Sequence, residues 1–423
     1  MVIGTIIGAS IFVQPSEITG QVPSIAGVFV VWLICGVLTL FGALVSAELA
    51  SIFTKSGGVY LYLKEAFSPA LGFLWGWAMF WSMHSGIAAA IATVFVRYLA
   101  YFIPLGDLTA RWIAVAVILV LSAVNYVGVR HGSTLQTLFT FGKLLAIGLI
   151  IIVGFVLGSR LPGHFETGTA TGVFSMGDFA LALVAGLFAF GGWHMVAYNA
   201  EETVEPRRTI PRALMLGVGV VTVSYIALNA VYLYILPLDR VAASTRVAAD
   251  AADVLLGSGG GGFMAGLVMF STFGALSGII LAGPRVYYAM AQDGLLFQWV
   301  GAIHPRFRTP HRAIVLQAIV TCALVLTGTY RTLFTRVIYT EWIFFGLMAV
   351  ALMVLRRRPD LERGYSVWGY PWVPVLFAVA SFAIVLNQIL ADPGESMTGL
   401  LIVIAGLPVY YIWTRSASGK HTS

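Results

Sequence analysis

The stretch GTIIGASIF, Gly4 to Phe12, breaks an apolar run with two glycines and a serine. In water this would mean little, because glycine costs a helix only about 1 kcal/mol relative to alanine. In a bilayer it needs a reason, since backbone groups that leave the helical ladder find no water to replace it.

The surroundings of the stretch are those of a bilayer protein. Of 423 residues, 59% are hydrophobic and 10% charged, far from the balance of a soluble globular chain. Apolar runs of about 20 residues recur, long enough to cross a membrane as helix, whereas a barrel would show short alternating segments. The pattern predicts an all-α polytopic membrane protein with about twelve spans. After the opening run they fall near residues 24–49, 71–103, 112–129, 135–157, 179–199, 211–236, 263–291, 313–328, 333–355, 371–390 and 400–413. The opening run is no cleavable signal, having neither a basic leader nor a small-residue cleavage site. Only Met1 to Ile3 precede Gly4, whereas a half-helix reaching the midplane needs about ten residues, so the start of the first span is expected to lie upstream.

Charge supplies the orientation. If the first run travels outward, the cytoplasmic connections include KSGGVYLYLKEAF, VRHGS, EETVEPRRTIPR, HPRFRTPHR and RRRPDLER and hold about fifteen Lys and Arg against about seven on the other side. Both termini are then cytoplasmic, in a cell (inner or plasma) membrane. The net charge of +6 reads as this topological bias and not as a nucleic-acid surface. Cys35 and Cys322 lie inside apolar runs and read as core residues, so no disulfide-linked accessory subunit is expected. The outer connection 237–262 contains VAADAADVLL and GSGGGG, which predict a short surface helix and a flexible hinge.

A second interruption, FAFGGWH at Phe188 to His194, falls in the middle of the sixth run. Two glycine-broken spans heading two five-span halves point to an inverted-repeat transporter, with the broken backbone lining a cavity at the midplane. Free N–H groups at the start of a half-helix attract a carboxylate, and free carbonyls at the end of one accept from an ammonium. A zwitterion uses both. Each glycine segment read alone is equally compatible with close helix packing.

On these residues, and on AELASIFTKSGGVYLYLKEAF, GPRVYYAMAQDGLLF and RRRPDLERGYSVWGYP, the chain resembles the amino acid–polyamine–organocation superfamily and its L-type amino acid transporter branch. The resemblance covers almost the whole chain. It implies a LeuT-like fold with discontinuous first and sixth helices: a first repeat over 1–158, an inverted second repeat over 178–356, and two added helices over 370–414. It implies secondary transport of amino acids. By the same resemblance the amides of Gly8, Ala9 and Ser10 meet the substrate carboxylate, the carbonyls of Ile6, Phe188 and Gly191 meet the amine, and the Phe188 ring closes over the site. Two positions depart from the family pattern. Ser10 stands where glycine is common, and His194 where asparagine often follows GGW, so side-chain preference is the open question.

Charges inside spans are the remaining candidates. Lys143 lies about 12 Å into the fifth run, too deep to snorkel, and the resemblance places it as a coupling or gating cation standing in for sodium between the first and eighth helices. Glu341 favours a cationic substrate if unpaired, or is a hydrogen-bonded acid near the outer interface, the reading we adopt. Glu48, Glu201 and Glu202 read as gate or packing ion pairs. His84 and His194 stand alone among aromatics, so no metal is expected, and no cofactor. No Walker A, Rossmann or G-x-S-x-G pattern stands in a strand-to-helix context, which disfavours an enzyme or an ATP-driven pump. The partners expected are an amino acid and the bilayer, with protons open as a coupled ion. Neutral L-amino acids lead, by exchange or proton-linked uptake. A cationic amino acid or polyamine carrier, and a non-transporting sensor, are the alternatives.

Overall fold

The computed structural model describes residues 2–418 except 56, 129–131, 162 and 169–171, and only the backbone at 132–138, 199, 202, 258, 395 and 415–418. The VRHGS connection at 129–131, the chain end at 419–423 and the Glu202 side chain therefore lie outside the described residues.

Among the described residues every regular element is helical. Ten helices are long and apolar enough to cross a membrane, and the shorter His311–Thr327 makes an eleventh. The broken opening segment, Val2–Ile6 followed by Ser10–Phe12 and Gln14–Gln21, supplies the twelfth. The second span is Ile25–Ile52, the third runs through Pro69–Ala78 and His84–Leu99, and the fourth and fifth are Asp107–Val127 and Gly132–Gly158. The sixth is Met176–Ala189, continued after a break by the tighter Trp193–Glu202. Pro206–Ile235, Ser258–Gln292, His311–Thr327 and Tyr330–Leu355 are the seventh to tenth. Trp372–Ala391 and the pair Pro393–Ile404 and Gly406–Ser418 complete the set.

Local chemistry sets where spans begin. The Ser24 hydroxyl accepts from Gly27 N–H at 3.3 Å, and Ser175 with Asp178, like Thr329 with Thr332, forms a reciprocal cap that satisfies donors the helix cannot. Within the third span, Met79–Met83 form a π turn, a local widening that a composition-based reading does not reveal.

The connection between the seventh and eighth spans differs from its sequence reading. Val247–Leu256 is helical as expected but not a surface helix, because Val247, Ala248, Ala249, Ala251 and Ala252 are all buried. GSGGGG is no hinge either: it forms the first turns of the 35-residue Ser258–Gln292 helix. A Cβ on Gly260 would stand 2.5 Å from the Ala252 carbonyl, so glycine here permits close packing. Tertiary contact overrides the low helix propensity of the run.

The two ends of the bundle differ in charge and in how they are closed. The basic face carries the connections around 53–68, 203–205, 293–310 and 356–371. Here Arg356 pairs with the fully buried Glu48 at 2.7 Å, and Glu48 also accepts from Val367 N–H at 2.6 Å, which ties the second span to the segment after the tenth. Lys64 and the Tyr60 hydroxyl both reach Asp293, at 2.8 and 2.5 Å, and tie Val59–Ala66 to the end of the eighth span. Burial and the Asp293 carboxylate push the Tyr60 phenol up, so it remains the donor. Glu201 is exposed and makes no ion pair among the described residues, so of the three glutamates read as pairing only Glu48 is seen to do so.

Candidate binding site at the paired helix breaks

The two breaks touch. Gly192 adopts φ +97°, and a Cβ there would lie 2.8 Å from the Thr5 carbonyl oxygen, so only glycine allows the sixth span to rest on the first. The Tyr225 hydroxyl sits between the Ile6 and Ala189 carbonyls at 3.1 and 3.0 Å, sharing its proton across both breaks.

At the first break the ladder stops. Ile7 N–H still reaches Ile3 O at 2.9 Å, and the next backbone donors to find acceptors are Phe12, on Ala9 O at 3.1 Å, and Val13, on Ser10 O at 3.0 Å. The N–H groups of Gly8, Ala9 and Ser10 donate to nothing among the described residues, although all three residues are buried. With Ile11, whose N–H also finds no acceptor, this is a run of four buried donors, costly unless something anionic uses them. At the second break Gly191 N–H folds back onto Phe188 O at 3.1 Å, which occupies that carbonyl, whereas the Gly191 carbonyl accepts no hydrogen bond among the described residues.

Around these groups closes a cavity of about 20 Å³, lined by Thr5, Ile6, Gly8, Ser10, Ile87, Ile91, Phe188, Gly191, Gly192, Met195, Ile279 and Glu341. That is room for about one water, so the conformation is closed and any larger solute enters only when the walls separate. Phe188 is part of this lining. Its ring packs on Phe334 and Tyr330 with centroids 5.5 and 6.3 Å away, and Arg97 lies over Tyr330 at 4.6 Å. Beyond Tyr330 opens a vestibule of about 330 Å³ on the face opposite the basic one.

Of the predicted residues, Ile6, Gly8, Ser10, Phe188, Gly191 and Glu341 meet in this wall. Ala9 is fully buried and is not part of the lining. The Ile6 carbonyl is already engaged by Tyr225, and the Phe188 carbonyl by Gly191. His194 stands behind the wall, packed among Trp75, Trp193, Tyr198 and Phe345. Glu341 is not near the outer interface: it lies near the middle of Tyr330–Leu355, is 2% exposed, and has no hydrogen bond or ion pair among the described residues. Thr5, Ile87, Ile91, Gly192, Met195 and Ile279 were not singled out from sequence; only Gly192, within the GGW run, carried a visible signal.

Lys143 is buried beside the cavity, not in it. Its Nζ donates to the Ile7 carbonyl at 3.0 Å and approaches the Gly4 carbonyl at 3.3 Å, taking the acceptors that the first break releases. A small void lined by Lys143, Phe12, Met264, Val268 and Ser271 places it between the first, fifth and eighth spans. No group of three or more potential metal ligands occurs among the described residues.

Comparison with known proteins agrees with this architecture. A family model described as amino acid permease matches residues 1–412. The chain is 34% identical to the serine/threonine exchanger SteT of Bacillus subtilis (strain 168), covering 97% of this chain and 94% of the relative. It is 33% identical to the Asc-type amino acid transporter 1 of Mus musculus, over 97% and 79% of the two chains. With the b(0,+)-type amino acid transporter 1 of Homo sapiens it shares 32%, over 99% and 87%. This helical, multi-pass chain with paired breaks therefore belongs to the amino acid permease family, within the amino acid–polyamine–organocation superfamily and close to its L-type branch.

Proposed function

We propose that this chain moves amino acids across a cell membrane by alternating access, with neutral L-amino acids as the main substrates and exchange or proton-linked uptake as the mode. The observation that carries the reading is the row of buried, unused amides at Gly8, Ala9 and Ser10, which offers a carboxylate what it offers nothing in the protein. The free Gly191 carbonyl lies in the same wall and supplies an acceptor for the α-amine. Ser10 places a Cβ and a hydroxyl at the carboxylate end, and Ile87, Ile91, Met195 and Ile279 make the rest of the wall mainly apolar, which suits a small or medium uncharged side chain. The names of the relatives, an exchanger of serine and threonine among them, favour the same class.

In this reading residues 1–158 and 178–356 are the two inverted repeats and 370–414 the added pair. The basic face is cytoplasmic, and Lys143 couples the first span to the fifth and eighth. Cys35 and Cys322 sit within spans, which favours a carrier that works without a disulfide-linked partner, and no covalent chemistry is assigned to the cavity. The test is counterflow in proteoliposomes of the full chain, loaded with unlabelled serine or alanine and challenged with the labelled compound. Saturable, trans-stimulated uptake is expected. Flux without saturation would identify a channel, and binding without flux a sensor.

A further inference from the structure

We propose that Glu341 is a proton-carrying site in the wall of the amino acid cavity, loaded from water on one face of the membrane and unloaded to the other as the cavity opens alternately. The proposal rests on the transport reading above and adds a second transported species to it. Its basis is a carboxyl group that is 2% exposed, lines the closed cavity beside Ser10, Gly191 and Met195, and has no hydrogen bond or ion pair with any described residue. A bare carboxylate in that position would be very costly, and a protonated one is neutral.

The groups around it do not neutralise it. The lining contributed by the first, third, sixth and eighth spans contains no Lys, Arg, His, Asp or second Glu. Behind that lining, Lys143 is engaged by the Ile7 and Gly4 carbonyls, His84 lies one turn before Ile87, and His194 and Tyr198 follow Gly192. Tyr198 packs edge-on against His194 with centroids 5.6 Å apart, and Tyr287 lies two turns beyond Ile279. On its own span Arg336 and Tyr339 line a separate cavity with Glu17 and Asp392, where the Tyr339 hydroxyl donates to the Ser396 carbonyl, and on the second span Glu48 is held by Arg356.

Toward the basic face the structure offers polar stepping points. Phe345, one turn past Glu341, packs on His194 with centroids 5.0 Å apart. His194 Nδ1, both ring nitrogens of His84 and both amide atoms of Gln317 are buried with no protein partner. Such orphans are uncommon in a protein interior and suit a hydrated proton path. The step is a simple proton transfer: an O–H bond forms on a Glu341 carboxylate oxygen at the expense of hydronium on one side, and breaks by transfer to water on the other. No electrons and no other group move.

The experiment uses full-length chain in liposomes holding a pH-sensitive dye, in the parent, Glu341→Gln and Glu341→Asp. With the outside made acidic, net alanine uptake by the parent should acidify the lumen and exceed uptake without the gradient by about tenfold, the ratio for one pH unit with one proton per substrate. Glu341→Gln should lose both acidification and the gradient's effect on whatever alanine flux it retains, the proton-to-alanine ratio being the readout. Glu341→Asp should restore both in part. The proposal is overturned if Glu341→Gln still acidifies the lumen, or if parent uptake ignores the gradient. It is also overturned if arginine and lysine outcompete alanine in the parent and lose that advantage in Glu341→Gln, which would make the carboxylate a partner for a substrate cation. Absence of counterflow with every amino acid in the parent would instead remove the transport reading itself. Should the variants not fold, infrared spectroscopy of the parent decides: a protonated carboxyl band at neutral pH that titrates away in alkali is required, and its absence overturns the assignment.

Discussion

Replacing Gly192 by alanine should disable the closed state while leaving the fold intact. Gly192 has φ +97°, where an L-residue with a Cβ is disfavoured by about 1–2 kcal/mol. The new Cβ would also stand 2.8 Å from the Thr5 carbonyl oxygen, a backbone atom that cannot rotate away. Forcing the two breaks apart by a few tenths of an ångström adds about 1 kcal/mol more, the lower end of overpacking costs. Together these amount to about 2–3 kcal/mol, borne only where the breaks touch, so the closed conformer should be depleted by about 30- to 150-fold relative to open ones. If every cycle passes through closure, the initial rate of counterflow falls by a similar factor. Gly219→Ala, whose Cβ would meet nothing within 4 Å, is the control and should transport like the parent. Monodisperse elution of both variants establishes that they fold. A Gly192→Ala rate within twofold of the parent would show that contact between the breaks is not needed for turnover, and the reasoning would fail.

Lys143→Ala removes the donor to the Ile7 and Gly4 carbonyls without touching the cavity, so turnover should fall by about tenfold or more while substrate affinity changes by less than about threefold; equal losses in both would place Lys143 on the substrate instead. Glu48→Gln strands Arg356 at the basic face and should cost about 3–5 kcal/mol, seen as a clear fall in melting temperature together with faster labelling of a cysteine placed at Val367; unchanged melting would reduce the pair to decoration.

Much of the fold was legible because a bilayer imposes length. Twelve apolar runs became twelve spans with ends displaced by a few residues, and the glycine pairs marked the breaks because helical backbone at the midplane has few other reasons to yield. The burial of Lys143 was legible from its depth, whereas its place between the first and eighth spans was only implied by the resemblance. Glu341 was not legible: the tenth span is apolar and buried around most of its circumference, so periodicity could not say which neighbour its carboxyl faces. His194, two residues from Gly192, looked like part of the wall, yet the tight Trp193–Glu202 helix turns it behind Met195 into an aromatic cluster. The Tyr225 hydroxyl, which joins both breaks, is one tyrosine among 17 and emerges only when the seventh span is laid against the second. GSGGGG misled because composition describes the isolated chain, whereas the packing of Gly260 against Ala252 decides its structure.

The central claim is that the unused amides of Gly8, Ala9 and Ser10 hold an α-carboxylate. The most direct measurement is competition against labelled alanine by unlabelled alanine and by alanine methyl ester, which keeps the amine and side chain but carries no anionic oxygen. Loss of two charge-assisted hydrogen bonds from buried amides should weaken the ester by about a hundredfold or more. An ester that competes as well as the free amino acid would mean that these amides do not bind the substrate.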